Sequence, residues 1–93
     1  MSDEIARLRD AIDATDRAIV DAVNERLRLV IELWRLKREF GVDLLDHERE
    51  RRLRENLAAV NGGPLSAEGL ERLVDELLAL TKSELADGTA GDR

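Results

Sequence analysis

The chain has no cysteine and no tyrosine, a single histidine, a single proline, and only Trp34 and Phe40 as aromatic residues. Without cysteine, neither a disulfide framework nor a thiolate metal site can form. One histidine, His47, excludes a paired-histidine metal motif and leaves little for a serine-type triad. The net charge is −6, with acidic and basic residues interspersed. That composition gives neither the basic face nor the stacking platforms of a nucleic-acid binder, so no nucleic-acid partner is expected. No apolar run approaches the ~18–20 residues of a membrane span, and the opening MSDEIARLRD has no signal-peptide core. A soluble cytoplasmic protein with no membrane partner is the expectation. At 93 residues the chain is one domain, near the lower end of what encloses a core by itself.

What is present is helical periodicity. Before Gly41 there is neither proline nor glycine, and Ile5, Leu8, Ile12, Thr15, Ile19, Ala22, Arg26, Leu29, Leu33, Leu36 and Phe40 recur in steps of three and four. This is an amphipathic helix of coiled-coil type from about residue 3 to about residue 40. Ser2 or Asp3 is suited to cap its start, and Gly41 to end it. After the connector GVDLL, Asp46 reads as the N-cap of a second helix with Leu53, Leu57 and Val60 on one face. NGGPL breaks that helix. Ser66 caps a third, whose apolar side carries Leu70, Leu73, Val74, Leu77, Leu78, Thr81 and Leu85. Nothing alternates with a period of two, so the expected fold class is all-α, with three helices per chain and a long first helix. Residues 1–85 form one helical domain in this reading, and residues 86–93, ADGTAGDR, a flexible tail.

Length adds a constraint. A first helix of roughly 37 residues is ~55 Å long, against a radius of gyration near ~12 Å for a compact domain of this size. The two shorter helices cannot cover its apolar seam. The economical solution is a second copy, in an intertwined homodimeric bundle; the alternative is a bent first helix in a monomeric bundle.

Several charges fall where an apolar residue is wanted. Arg26 lies in the seam, and Arg9, Asp16 and Lys37 share an adjacent heptad row with Val23 and Val30. Taken singly, each has a bland explanation, such as snorkelling or, for Asp16, a buried structural pair. As a set along one core face they ask for a ligand, because an unpartnered buried charge costs several kcal/mol. Arg26 and Lys37 are close to three full turns apart and point the same way, ~16 Å from each other. Arg9 and Lys37 are about 42 Å apart on one helix, but in an antiparallel pair the partner's Arg9 reaches the vicinity of Lys37. On the second helix the buried face extends backwards to Glu50, Arg49 and Asp46; the competing reading is a cap and a solvated charge run, HERERRLR. Thr81 offers a hydroxyl on the third helix, or bonds it back to its own backbone. Fixed cations with a carboxylate pair at one end, and no obvious nucleophile, suit a small dicarboxylate and a reaction that needs shape and charge.

The full spaced set, Arg9, Asp16, Arg26, Lys37, Asp46 and Arg49-Glu50, resembles the all-α class of chorismate mutases. The likeness runs without a gap from about Leu8 to Leu53 and more loosely through the third helix. It implies an intertwined homodimer and the Claisen rearrangement of chorismate to prephenate, in the shikimate pathway to aromatic amino acids. By the resemblance, Arg9 from the partner chain and Arg26 bind the substrate carboxylates, and Lys37 bonds the ether oxygen. Arg49 supports that charge arrangement, while Asp46 and Glu50 hold the ring hydroxyl side. It implies no cofactor and no metal. The family usually carries a serine and, four residues later, a glutamine or glutamate on the third helix as second donor to the ether oxygen. Thr81 fits the serine position, but the next is Leu85, with Glu84 one residue away. That departure keeps two other substrates in view, 4-amino-4-deoxychorismate and isochorismate. It also keeps in view a weakly active or non-catalytic helical dimer that needs a partner enzyme.

Overall fold

In the computed structural model, residues 2–39 and 46–91 are described, with side-chain surroundings through residue 86. Three helices follow in order: α1, Ser2–Glu39; α2, His47–Val60; and α3, Ala67–Gly91. By its internal packing the chain divides into two compact units, residues 1–40 and residues 41–93. No described helix is long and apolar enough to cross a membrane.

The first unit is α1. It runs unbroken because nothing in it interrupts the hydrogen-bond ladder. Asp3 and Glu4 lie at its positive end, and Lys37 and Arg38 at its negative end. Ser2 and Asp3 both lie inside the first turn, so neither stands outside it as a cap. Gly41 and Phe40 fall outside the described residues. No residue of α1 is buried. Its large apolar seam residues stay open to solvent, from 38% for Leu33 and Leu36 to 63% for Leu29. One face is half-buried, and it carries Val23, Arg26, Leu27, Val30, Trp34 and Lys37.

The second unit is a helical hairpin. Asp46 caps α2, its carboxylate accepting from the Arg49 N–H at 3.0 Å. Ser66 caps α3 in the same way, accepting from the Gly69 N–H at 2.9 Å. Between them the chain reverses through Asn61, whose carboxamide donates to the Leu65 carbonyl and accepts from the Gly63 N–H. Gly63 sits at φ +79°, a conformation that costs any residue with a Cβ roughly 1–2 kcal/mol. The short connection sets α2 and α3 antiparallel. Leu70, Val74, Thr81 and Leu85 are buried on α3, Val74 completely. Leu53 and Leu57 on α2 are half-buried.

Two expectations need correction. Val60 is 76% exposed: the shaded stripe of α2 passes through Leu53, Arg54 and Leu57 to Asn61, and Val60 lies about 100° from Asn61 around the helix. Leu73 is 48% exposed because Val74, its neighbour, takes the centre of the packed face. The backbone of α3 also stays helical to Gly91, past residue 85, since no proline follows to stop it.

Candidate functional site

On α1 the helical repeat brings Arg26 and Lys37 onto one half-buried face, with Val23, Leu27, Val30 and Trp34 around them. These neighbours leave both cations half-buried, a setting that screens a charge less than open solvent does. Arg9 and Asp16 are exposed. Arg9 and Lys37 stand ~42 Å apart along the helix axis, so this chain alone does not bring them together.

On α2 the charge run HERERRLR divides between two sides of the helix. Arg51 bonds Glu48 and Glu55 on the solvent side. Its pKa is raised, first by the hydrogen bond it donates to Glu48 and then by the charge of Glu55. This part of the run is the solvated surface that composition suggests. Glu50 is half-buried on the opposite, shaded side. Asp46 is exposed and already occupied as the cap, and Arg49 is exposed. The opening turn of α2 thus presents two carboxylates and a guanidinium beside one helix N-terminus.

On α3, Thr81 is buried, and its hydroxyl donates to the Leu77 carbonyl at 2.7 Å. Four residues on, Leu85 is 6% exposed and shares that buried side, whereas Glu84 is exposed. Within the α2–α3 hairpin it is Leu85, and not Glu84, that is turned inward. Among the described residues, no three His, Asp or Glu side chains are clustered to hold a metal ion.

Arg54 escaped the sequence reading. From the shaded stripe of α2 it crosses to α3, donating from Nη1 to Glu71 at 2.6 Å and from Nη2 to Asp75 at 2.7 Å. Its pKa is raised, first by the bond to Asp75 and then by that to Glu71. The signal was available: Arg54 follows Glu50 by one turn and precedes Leu57 by three residues, and two carboxylates stand one turn apart on α3. A shallow cavity of about 330 Å³ opens beside it, lined also by Ala58, Asn61, Leu65, Leu70 and Val74. That cavity lies toward the chain reversal, away from Asp46 and Thr81.

Guanidinium, ammonium and hydroxyl groups such as these are able to bond an anionic ligand. Three comparisons show what the chain is similar to. The family model for chorismate mutase type II matches residues 8–84. The chain is 35% identical to the chorismate mutase of Thermus thermophilus in a solved structure, with a TM-score of 0.79, covering 84% of this chain and 98% of that one. It is also 40% identical over 47 residues to the T-protein of Enterobacter agglomerans, covering 50% of this chain but only 13% of that larger protein.

Proposed function

Because the chain belongs to the chorismate mutase type II family, matched from residue 8 to residue 84, we propose that it rearranges chorismate to prephenate. The observation that carries the proposal is the pairing of Arg26 and Lys37 on one half-buried face of α1, within that matched span. In the proposed reaction the C–O ether bond of the enolpyruvyl group breaks as a C–C bond forms to the ring. All electrons stay in the one molecule, so no redox partner or proton donor is required. Negative charge grows on the ether oxygen, and Lys37 donates a hydrogen bond to it there. Arg26 and the partner's Arg9 hold the two carboxylates, folding the flexible side arm over the ring. Arg49 reinforces that positive field, and Asp46 and Glu50 accept from the ring hydroxyl. Electrostatic stabilisation in a shaded site is the main source of acceleration.

The proposal includes a homodimer. The open seam of α1 supports it, because exposed Ile5, Leu8, Ile12, Ile19 and Leu29 form an apolar stripe too long for a stable monomer to leave wet. An antiparallel pair of α1 helices covers the stripe and carries the partner's Arg9 toward Lys37. A cytoplasmic site of action belongs to the same proposal, since a doubly charged substrate does not cross a bilayer unaided.

Leu85 favours a second reading. An apolar side chain follows Thr81 by one turn and Glu84 is exposed, so in this reading the donor usual in the family is missing. The chain would then act on a neighbouring substrate, 4-amino-4-deoxychorismate or isochorismate, or gain full activity with a partner enzyme.

The test is an ultraviolet assay of chorismate loss with product identification, run in parallel on the 4-amino analogue. Conversion to prephenate, abolished in Lys37→Ala while sedimentation still shows the folded dimer, is the expected result. Turnover of the amino analogue alone would move the protein to the second reading. Unchanged activity in Lys37→Ala would remove Lys37 from the site.

A further inference from the structure

Apolar packing between α2 and α3 does not by itself fix how far one helix slides along the other. Leu53 and Leu57 are one turn apart, and so are Leu70 and Val74, with Leu77 and Leu78 a further turn along. A slip of one turn, about 5.4 Å, exchanges one aliphatic contact for another. The connection from Asn61 to Ser66 allows it, since an extended residue spans up to ~3.5 Å.

The Arg54 fork removes this degeneracy in one direction: a slip of one turn away from the chain reversal would leave Arg54 between Asp75 and Ala79, with one carboxylate in place of two. One guanidinium meets two carboxylates a turn apart, Glu71 at 2.6 Å and Asp75 at 2.7 Å, so it centres Arg54 between them. A point-charge ammonium cannot span both with two bonds of fixed direction. Helices α2 and α3 are antiparallel, so each residue backwards along α2 is a residue forwards along α3. Arg54 is level with the midpoint of Glu71 and Asp75. Stepping from there puts Glu50 level with Leu77, and Asp46 level with Thr81.

We propose that Arg54 is a positioning residue, whose fork to Glu71 and Asp75 sets the register that holds the Asp46–Glu50 turn level with Thr81. The catalytic consequence rests on the chorismate mutase reading; the register itself does not. Arg54 touches no substrate. Its carboxylates are 59% and 63% exposed, so the fork adds little to stability and its weight falls on placement.

The experiment compares Arg54→Met and Arg54→Lys with the unaltered chain, and adds the pair Glu71→Gln/Asp75→Asn, which removes the fork from the other side. Because the chain has no cysteine, spin labels at His47→Cys and Lys82→Cys are specific, and excess unlabelled chain isolates the distance within one protomer. The unaltered chain should give one narrow distance. Arg54→Met and the double variant should broaden it or displace it by about one turn, ~5.4 Å, with Tm changed by no more than about 3 °C. In the same proteins kcat/KM for chorismate should fall about tenfold, a tenfold loss being 1.36 kcal/mol. Arg54→Lys should recover less than half, and combining Arg54→Met with the double variant should cost nothing more. An unchanged distance in Arg54→Met overturns the proposal, as does loss of activity only in step with loss of helicity. If the unaltered chain turns over none of the candidate substrates, the functional reading fails, and the label distance alone decides whether Arg54 sets the register.

Discussion

Leu85 is the residue at which chemistry and packing pull apart. Its side chain is buried on the same side of α3 as Thr81, and an aliphatic group there costs the fold nothing. The proposed rearrangement, by contrast, gains from a second donor to the ether oxygen, worth roughly 10²–10³ in rate where such donors have been removed. Leu85→Gln should therefore raise kcat for chorismate about tenfold or more. It should also lower Tm, since a buried carboxamide without its ligand loses ~1–3 kcal/mol. Steady-state kinetics and a thermal melt on the same protein check both arms. A melt that falls with no gain in kcat would mean that Leu85 is core and does not reach the reacting atoms. The burial of Leu85 was legible in the sequence, since the apolar stripe of α3 runs through it and Glu84 lies ~100° away. Arg54, by contrast, was missed. Its place on the stripe of Leu53 and Leu57, opposite two carboxylates one turn apart, was legible, but the surrounding run of charges reads as solvated surface unless the two helices are set side by side.

At the scale of the helix, the start of α2 serves two ends with one side chain. The Asp46 carboxylate accepts from the Arg49 N–H at 3.0 Å, which completes the first turn of α2. The same residue is proposed to accept from the ring hydroxyl. Asparagine caps as well as aspartate but carries no charge. Asp46→Asn should thus keep the unfolding free energy within ~0.5 kcal/mol while weakening turnover, and Asp46→Ala should lose about 1 kcal/mol in addition. Urea unfolding beside the chorismate assay separates the two contributions; equal activity in Asp46→Asn and the unaltered chain would leave Asp46 a cap only. Helix boundaries like this one were legible in the sequence because they depend on local chemistry: Asp46 and Ser66 each cap the helix expected of them. Which flank of a stripe is covered depends on the facing helix, and that is why Val60 and Leu73 proved exposed.

For the whole molecule, the question is what covers α1. A helix of 38 residues without one buried side chain, carrying seven exposed aliphatic residues of 38–63% accessibility along its seam, is not a finished structure. Its periodicity made the length and the seam legible from sequence, and arithmetic on ~42 Å of helix led from Arg9 and Lys37 to a pocket shared between chains. The identity of the covering chain is a matter of association, which no single sequence displays. The proposed sharing of each pocket between two chains makes a quantitative prediction. Arg9→Ala and Lys37→Ala should each be inactive alone, because every pocket of either homodimer lacks one cation. Unfolded together and refolded at equal amounts, about half of the dimers should be mixed. In a mixed dimer one pocket takes its Arg9 from the Lys37→Ala chain and its Lys37 from the Arg9→Ala chain, and is complete; the other lacks both. About a quarter of the unaltered activity should therefore return, with KM unchanged because each working pocket is whole. If Arg9 and Lys37 acted within one chain, or in separate pockets, mixing would restore nothing, since no single chain would carry both groups. Sedimentation of the mixture confirms that chains have exchanged, so an absence of recovery would count against the shared site and not against the mixing.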